Sequence, residues 1–132
     1  MTYSGRCQCG AIEFQLEGEP GLVSLCHCTD CRRSSGAPVM GWAEFAEDKF
    51  SVSKGTPKTV NSSGAAMRSF CPECGTGLTY RNQEVLPDLV EVALGTIDGS
   101  EKLVPSMQIV TAERLGWMEQ LQTIPGHAGF PE

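Results

Sequence analysis

Apolar and polar residues alternate over residues 11–16, where Ile12, Phe14 and Leu16 are separated by Glu13 and Gln15. A two-residue period belongs to a strand with one buried face. Gly18-Glu19-Pro20-Gly21 then makes a turn, and Leu22-Val23-Ser24-Leu25 leads a second strand into Cys26. Strands are predicted over residues 39–45 (with Trp42 inside), 78–81, 89–94 and 105–110, with 50–52 short and extended. Turns at 46–49, 55–57 and 62–66 separate them. One stretch reads differently. Thr29 suits an N-cap, Asp30 a first helical turn, and Gly36 with Pro38 a stop, which predicts a short helix over 29–35. Residues 113–121 read as one helical turn or irregular chain, and 124–131 as a Pro/Gly-rich tail. No repeat or domain boundary interrupts the series. The expectation is a single small mainly β domain of short antiparallel strands over 1–132. Trp42 and Trp117 are expected in its core.

Composition supports a globular chain: 132 residues, 40% hydrophobic and 20% charged. The net charge of −6 removes the basic footprint that nucleic acids require, so no nucleic-acid partner is expected. No apolar run is long enough for a membrane span, and the N-terminus lacks a signal-peptide core; the expected location is cytoplasmic, with no membrane partner.

Seven cysteines in a reducing compartment suggest metal ligands more than disulfides, and an odd number would leave one thiol over. They occur as Cys7-x-Cys9, Cys26-x-Cys28-x-x-Cys31 and Cys71-x-x-Cys74, with none alone. Cysteines two apart on an extended strand point to one face. Cys71-Pro72-Glu73-Cys74-Gly75 has the shape of a zinc knuckle, which supplies two ligands and needs two more. If the central cluster gave them, a second metal would have only scattered ligands. If Cys7 and Cys9 give them, Cys26, Cys28 and Cys31 stay together, and this division is favoured because both sets keep local spacing. Three thiolates on one zinc leave a fourth position, where a soft thiolate ligand belongs more naturally than an activated water. Arg32 and Arg33 follow directly and could offset the charge or hold a substrate carboxylate. Alternatively, His27, Asp30 or His127 closes the set as a structural site, in a non-catalytic zinc-stabilised interaction module. On a strand His27 would point away from the sulfurs, which makes it a packing or supporting residue.

Three stretches and a shorter one together carry a resemblance: Gly5-Arg6-Cys7-Gln8-Cys9-Gly10-Ala11-Ile12, then residues 26–38 from Cys26-His27-Cys28 through Cys31-Arg32-Arg33, then 68–78 around Cys71-Pro72-Glu73-Cys74-Gly75, and Gly95-Thr96-Ile97-Asp98. The set resembles the glutathione-dependent formaldehyde-activating enzyme family, which also contains the centromere protein V domain. The resemblance implies a zinc-stapled β-tent fold with two zinc ions. Cys7, Cys9, Cys71 and Cys74 would hold the structural one; Cys26, Cys28 and Cys31 would form the active site. It implies a carbon–sulfur lyase that joins formaldehyde to glutathione as S-hydroxymethylglutathione, with glutathione or a similar small thiol as partner. The chain departs from the family pattern at Gln108, where a histidine is usual, and at Gly99-Ser100-Glu101, where an acidic-acidic-proline turn is usual. Both departures concern the substrate more than the metals.

Overall fold

A computed structural model describes residues 1–131. Strands β1 (Thr2–Arg6), β2 (Glu13–Glu17) and β5 (Phe50–Lys54) form a three-stranded antiparallel sheet in the order β1-β2-β5. The remaining strands are β3 (Val23–Cys26), β4 (Met40–Ala46), β6 (Lys58–Ser63), β7 (Ala66–Phe70), β8 (Gly77–Arg81), β9 (Leu89–Ala93) and β10 (Met107–Ile109). They form a second sheet in the order β10-β3-β4-β9-β8-β7-β6. The architecture is mainly β, as the alternation predicts, with helix α1 (Thr29–Ser35) and several 3-10 turns. No helix among the described residues is long and apolar enough to cross a membrane.

The alternation in β2 buries Phe14 and Leu16 completely. They meet Val23, Ala43, Phe45, Val90 and Val92 from one face of the large sheet, so the two sheets share a single core. Period two sends the intervening residues of the large sheet to its other face. There Cys26, Trp42 and Ala93 pack with Cys31 of α1, and Tyr80 leans against them. That second face carries Cys26 and receives Cys31.

The structure corrects four expectations. β1 was not expected, because Thr2-Tyr3-Ser4-Gly5-Arg6 has no apolar alternation; its register with β2, Gly5 opposite Phe14, makes it a strand. β10 runs parallel to β3, not antiparallel, because the chain crosses over from β9 to reach the outer edge. The N-cap of α1 is Cys28, whose sulfur accepts from the Cys31 amide at 3.2 Å. Thr29 donates its amide instead to the Glu113 carboxylate at 2.8 Å, clipping the C-terminal segment onto the helix start. Trp117 is 49% exposed on an eight-residue 3-10 segment, Gly116–Thr123, that buries no side chain, whereas Trp42 is buried as expected. The C-terminal end of α1 follows the sequence: Gly36, at φ +74°, returns its amide to the Arg32 carbonyl.

Candidate metal centres and active site

Two loops bring the first cysteine set together. The chain after β1 turns tightly, with the Gly10 amide on the Cys7 carbonyl at 3.2 Å and the Cys7 amide on the Ile12 carbonyl at 3.1 Å. Cys7 and Cys9 therefore sit on a turn, not on the extended segment expected. Between β7 and β8 the Gly75 amide bonds the Cys71 carbonyl at 2.8 Å. Gly10 and Gly75 each follow the second cysteine of their pair at φ +81°, a conformation that favours glycine. Backbone amides then point at sulfur: Ile12 to Cys7 at 3.3 Å, Ala11 to Cys9 at 3.5 Å and Cys74 to Cys71 at 3.5 Å.

The four sulfurs lie within 4.8 Å of one another. Cys7 and Cys9 are 3.7 Å apart, Cys9 and Cys71 3.8 Å. Tetrahedral zinc with bonds of about 2.3 Å would separate its sulfurs by about 3.8 Å, so this donor set fits the ion. A disulfide would need about 2.0 Å, and all seven cysteines are free thiols. Cys74 is held down at about 5, chiefly by the Thr76 hydroxyl, which lies 3.2 Å from its sulfur.

The second set, Cys26, Cys28 and Cys31, also brings its sulfurs within 4.8 Å of one another. The end of β3, an extended linker and the first turn of α1 position them. Burial and three convergent sulfurs suit a soft ion such as zinc. His27, Asp30 and His127 do not share either group, so the structure does not close the set with them. His27 is 1% exposed, and its Nε2 lies 2.7 Å from Oε1 of Gln108 on β10. It is the packed residue expected from its place between two cysteines.

Arg68, which sequence reasoning did not single out, is the charged group at this site. It projects from β7 onto the second face and is only 8% exposed. Its Nη2 donates to Asp30 Oδ2 at 2.7 Å and to Cys31 Sγ at 3.6 Å; its Nε donates to Ser62 Oγ at 3.0 Å. The guanidinium also stacks 4.7 Å from the Tyr80 ring centroid. The Cys31 thiol is held down at about 5: Cys26 donates to it first of all, burial opposes, and Arg68 adds a further pull. Cys26 is pushed up correspondingly, by its bond to Cys31 and then by burial.

The two arginines expected at the site sit elsewhere. Arg32 donates to the His27 carbonyl at 3.2 Å, the Thr29 hydroxyl at 3.2 Å and the Glu113 carbonyl at 3.1 Å. Arg33 is exposed on the outer side of α1. Arg68 could have been found from one signal: an arginine at an inward position of a strand needs an anion, and a thiolate cluster is one.

Beside the three cysteines lies a cleft of about 580 Å³. Trp42, Met40, Ala93 and Arg68 form its wall on the cysteine side, and Ser34 and Ser35 of α1 its rim. Glu91, next to Glu44 and Tyr80 in register, is buried with Oε2 lacking a hydrogen-bond partner, and burial pushes its carboxyl up to about 7, helped by the charges of Glu44 and Cys31.

Comparison with known proteins gives three similarities. The model of the family described as glutathione-dependent formaldehyde-activating enzyme matches residues 2–113. An uncharacterized lyase of Schizosaccharomyces pombe is 35% identical over 78 residues, which cover 59% of this chain and 56% of that protein. The chain thus matches little more than half the length of this relative. The crystal structure of a Rhodobacter sphaeroides protein is similar with a TM-score of 0.64 at 25% identity, covering 80% of this chain and 98% of that one.

Proposed function

Because this chain belongs to the glutathione-dependent formaldehyde-activating enzyme family, we propose that it is a zinc-dependent carbon–sulfur lyase acting on adducts of a small thiol with an aldehyde. Membership implies a glutathione-type substrate, and formaldehyde is the aldehyde that the family description supplies. Cys26, Cys28 and Cys31 would hold the catalytic zinc; Cys7, Cys9, Cys71 and Cys74 would hold a second, structural zinc. Zinc bound by three thiolates supplies a soft Lewis acid that favours the thiolate form of a bound thiol. A reducing compartment such as the cytoplasm keeps the seven cysteines available for this work.

In the synthetic direction the thiol sulfur attacks the aldehyde carbon, the π pair moves to oxygen, and the proton lost from sulfur ends on that oxygen. The reverse breaks the same carbon–sulfur bond and returns the proton to sulfur. The residues of the chain prepare the ground. Arg68, 3.6 Å from Cys31 Sγ, offsets the negative charge gathered by the sulfurs. Asp30 fixes the guanidinium in place. Arg32 positions the helix by tying His27, Thr29 and Glu113 together. Arg33, exposed one residue further on, takes no part in that tie and does not line the cleft. The apolar wall at Trp42 and Met40 limits water at the reacting sulfur.

The observation that carries the reading is the convergence of three buried or half-buried sulfurs, with Arg68 against them and lining the neighbouring cleft. Elemental analysis and kinetics test it. Two zinc ions per chain, and formation of S-hydroxymethylglutathione faster than the uncatalysed rate and lost in Cys31→Ser, are expected. One tightly held zinc in fully reduced protein would refute the two-site assignment, and a rate equal to the uncatalysed one with every thiol tried would refute the enzyme.

A further inference from the structure

The cleft beside the three cysteines is poor in charge. Its walls are Met40, Trp42, Val60, Phe70, Leu78 and Ala93, with small and hydroxyl residues between them. Arg68 is the one charged side chain lining it among the described residues, and that guanidinium already pairs with Asp30 at 2.7 Å. Arg32 spends its donors on the helix and the C-terminal segment, and Arg33 does not line the cleft.

Glutathione carries two carboxylates and one ammonium. An ionised group in an apolar cleft must be paired or remain strongly disfavoured. One guanidinium, shared with Asp30, can serve one carboxylate. No acidic side chain lines the cleft to receive the ammonium. The net charge of −6 gives an anionic tripeptide no long-range attraction either. Size does not discriminate, since clefts of this volume hold drug-sized ligands; polarity does. We infer that the cleft takes thiols with an apolar body and at most one carboxylate in preference to glutathione. This rests on the proposed reading of the three-cysteine site as the place where a thiol binds, and narrows which thiol it is.

The test uses the full chain with cobalt in place of zinc and Trp117→Phe as background, so that Trp42 is the sole tryptophan. 2-Phenylethanethiol and glutathione are titrated separately, and the visible thiolate–cobalt absorption is followed. Burial of the phenyl group without stranded charge should make 2-phenylethanethiol bind at least about tenfold tighter. Ethylbenzene, which lacks the sulfur, should leave the cobalt spectrum unchanged yet quench Trp42. Val60→Lys adds a cation to the wall at an exposed position and should shift the ratio toward glutathione by about two- to fivefold. Glutathione binding as tightly as 2-phenylethanethiol would overturn the inference while leaving the thiol site standing. An unchanged ratio in Val60→Lys would overturn the charge argument. A cobalt spectrum indifferent to both thiols would overturn the underlying reading and the inference with it.

Discussion

Glu91 offers a measurable link between burial and pH. It is 9% exposed, and burial raises its carboxyl from the ordinary 4.5 to about 7. A carboxyl whose folded pKa exceeds its unfolded one binds more protons in the native state. Stability is then favoured below the unfolded value and lost as pH rises from about 4.5 to about 7. That rise corresponds to about 3 kcal/mol at most. Residual solvent access and screening lower that. Glu91→Gln keeps the shape and removes the titration. The assay is urea unfolding of the metal-loaded protein between pH 5.5 and 8.5 at fixed metal concentration, comparing variant with native chain. The stability gap between Glu91→Gln and the native protein should move in favour of the variant by about 1–3 kcal/mol across that window, most of it below pH 7.5. The amide brings hydrogen-bonding needs of its own, which add a constant offset but no slope. Parallel curves for the two proteins would refute the reasoning, whatever the offset.

Three further outcomes are expected. Gly5→Ala places a Cβ 2.2 Å from Phe14 Cζ and 2.4 Å from the Thr96 carbonyl oxygen, so unfolding should show a loss of about 3 kcal/mol or more. Cys74→Ser should lower the thermal midpoint sharply, because its site joins distant loops, while Cys31→Ser should leave a folded protein without lyase activity; equal loss of stability in both would mean two structural sites. Arg68→Met removes the buried partner of Asp30 and the charge beside Cys31, and chemical denaturation should show a loss of about 1–3 kcal/mol; Arg68→Lys should recover only part of it, because an ammonium cannot bond Asp30 and Ser62 in one plane while stacking a flat face on Tyr80.

The parts of the fold legible in the sequence were those with local causes. The alternation of Ile12, Phe14 and Leu16 reports a buried face wherever the strand lies. The helix 29–35 was set by its own stop signal at Gly36. The four-plus-three division of the cysteines followed from their spacing. What was not legible had distant causes. β1 exists because β2 and the bridge to Ile97 hold it. The sulfur cap at Cys28 competes with Thr29 because the chain already bends there to gather three thiols. Arg32 and Arg33 stand next to the ligands in sequence, yet Arg68, thirty-seven residues from Cys31, is the arginine that touches it. Adjacency along a helix does not aim a side chain; the pleat of a strand across the sheet does.

The bond between His27 and Gln108 bears on which side chains stand within reach of the three sulfurs. Cys26, His27, Cys28 and Cys31 are four potential metal donors within six residues, so the fold has to set the imidazole apart from the thiols. Gln108 arrives eighty-one residues after His27, and docking of β10 gives the ring its partner and seals it away from the sulfurs. A three-residue strand from the far end of the chain thus supplies the partner of a buried ring that stays outside the three-sulfur set.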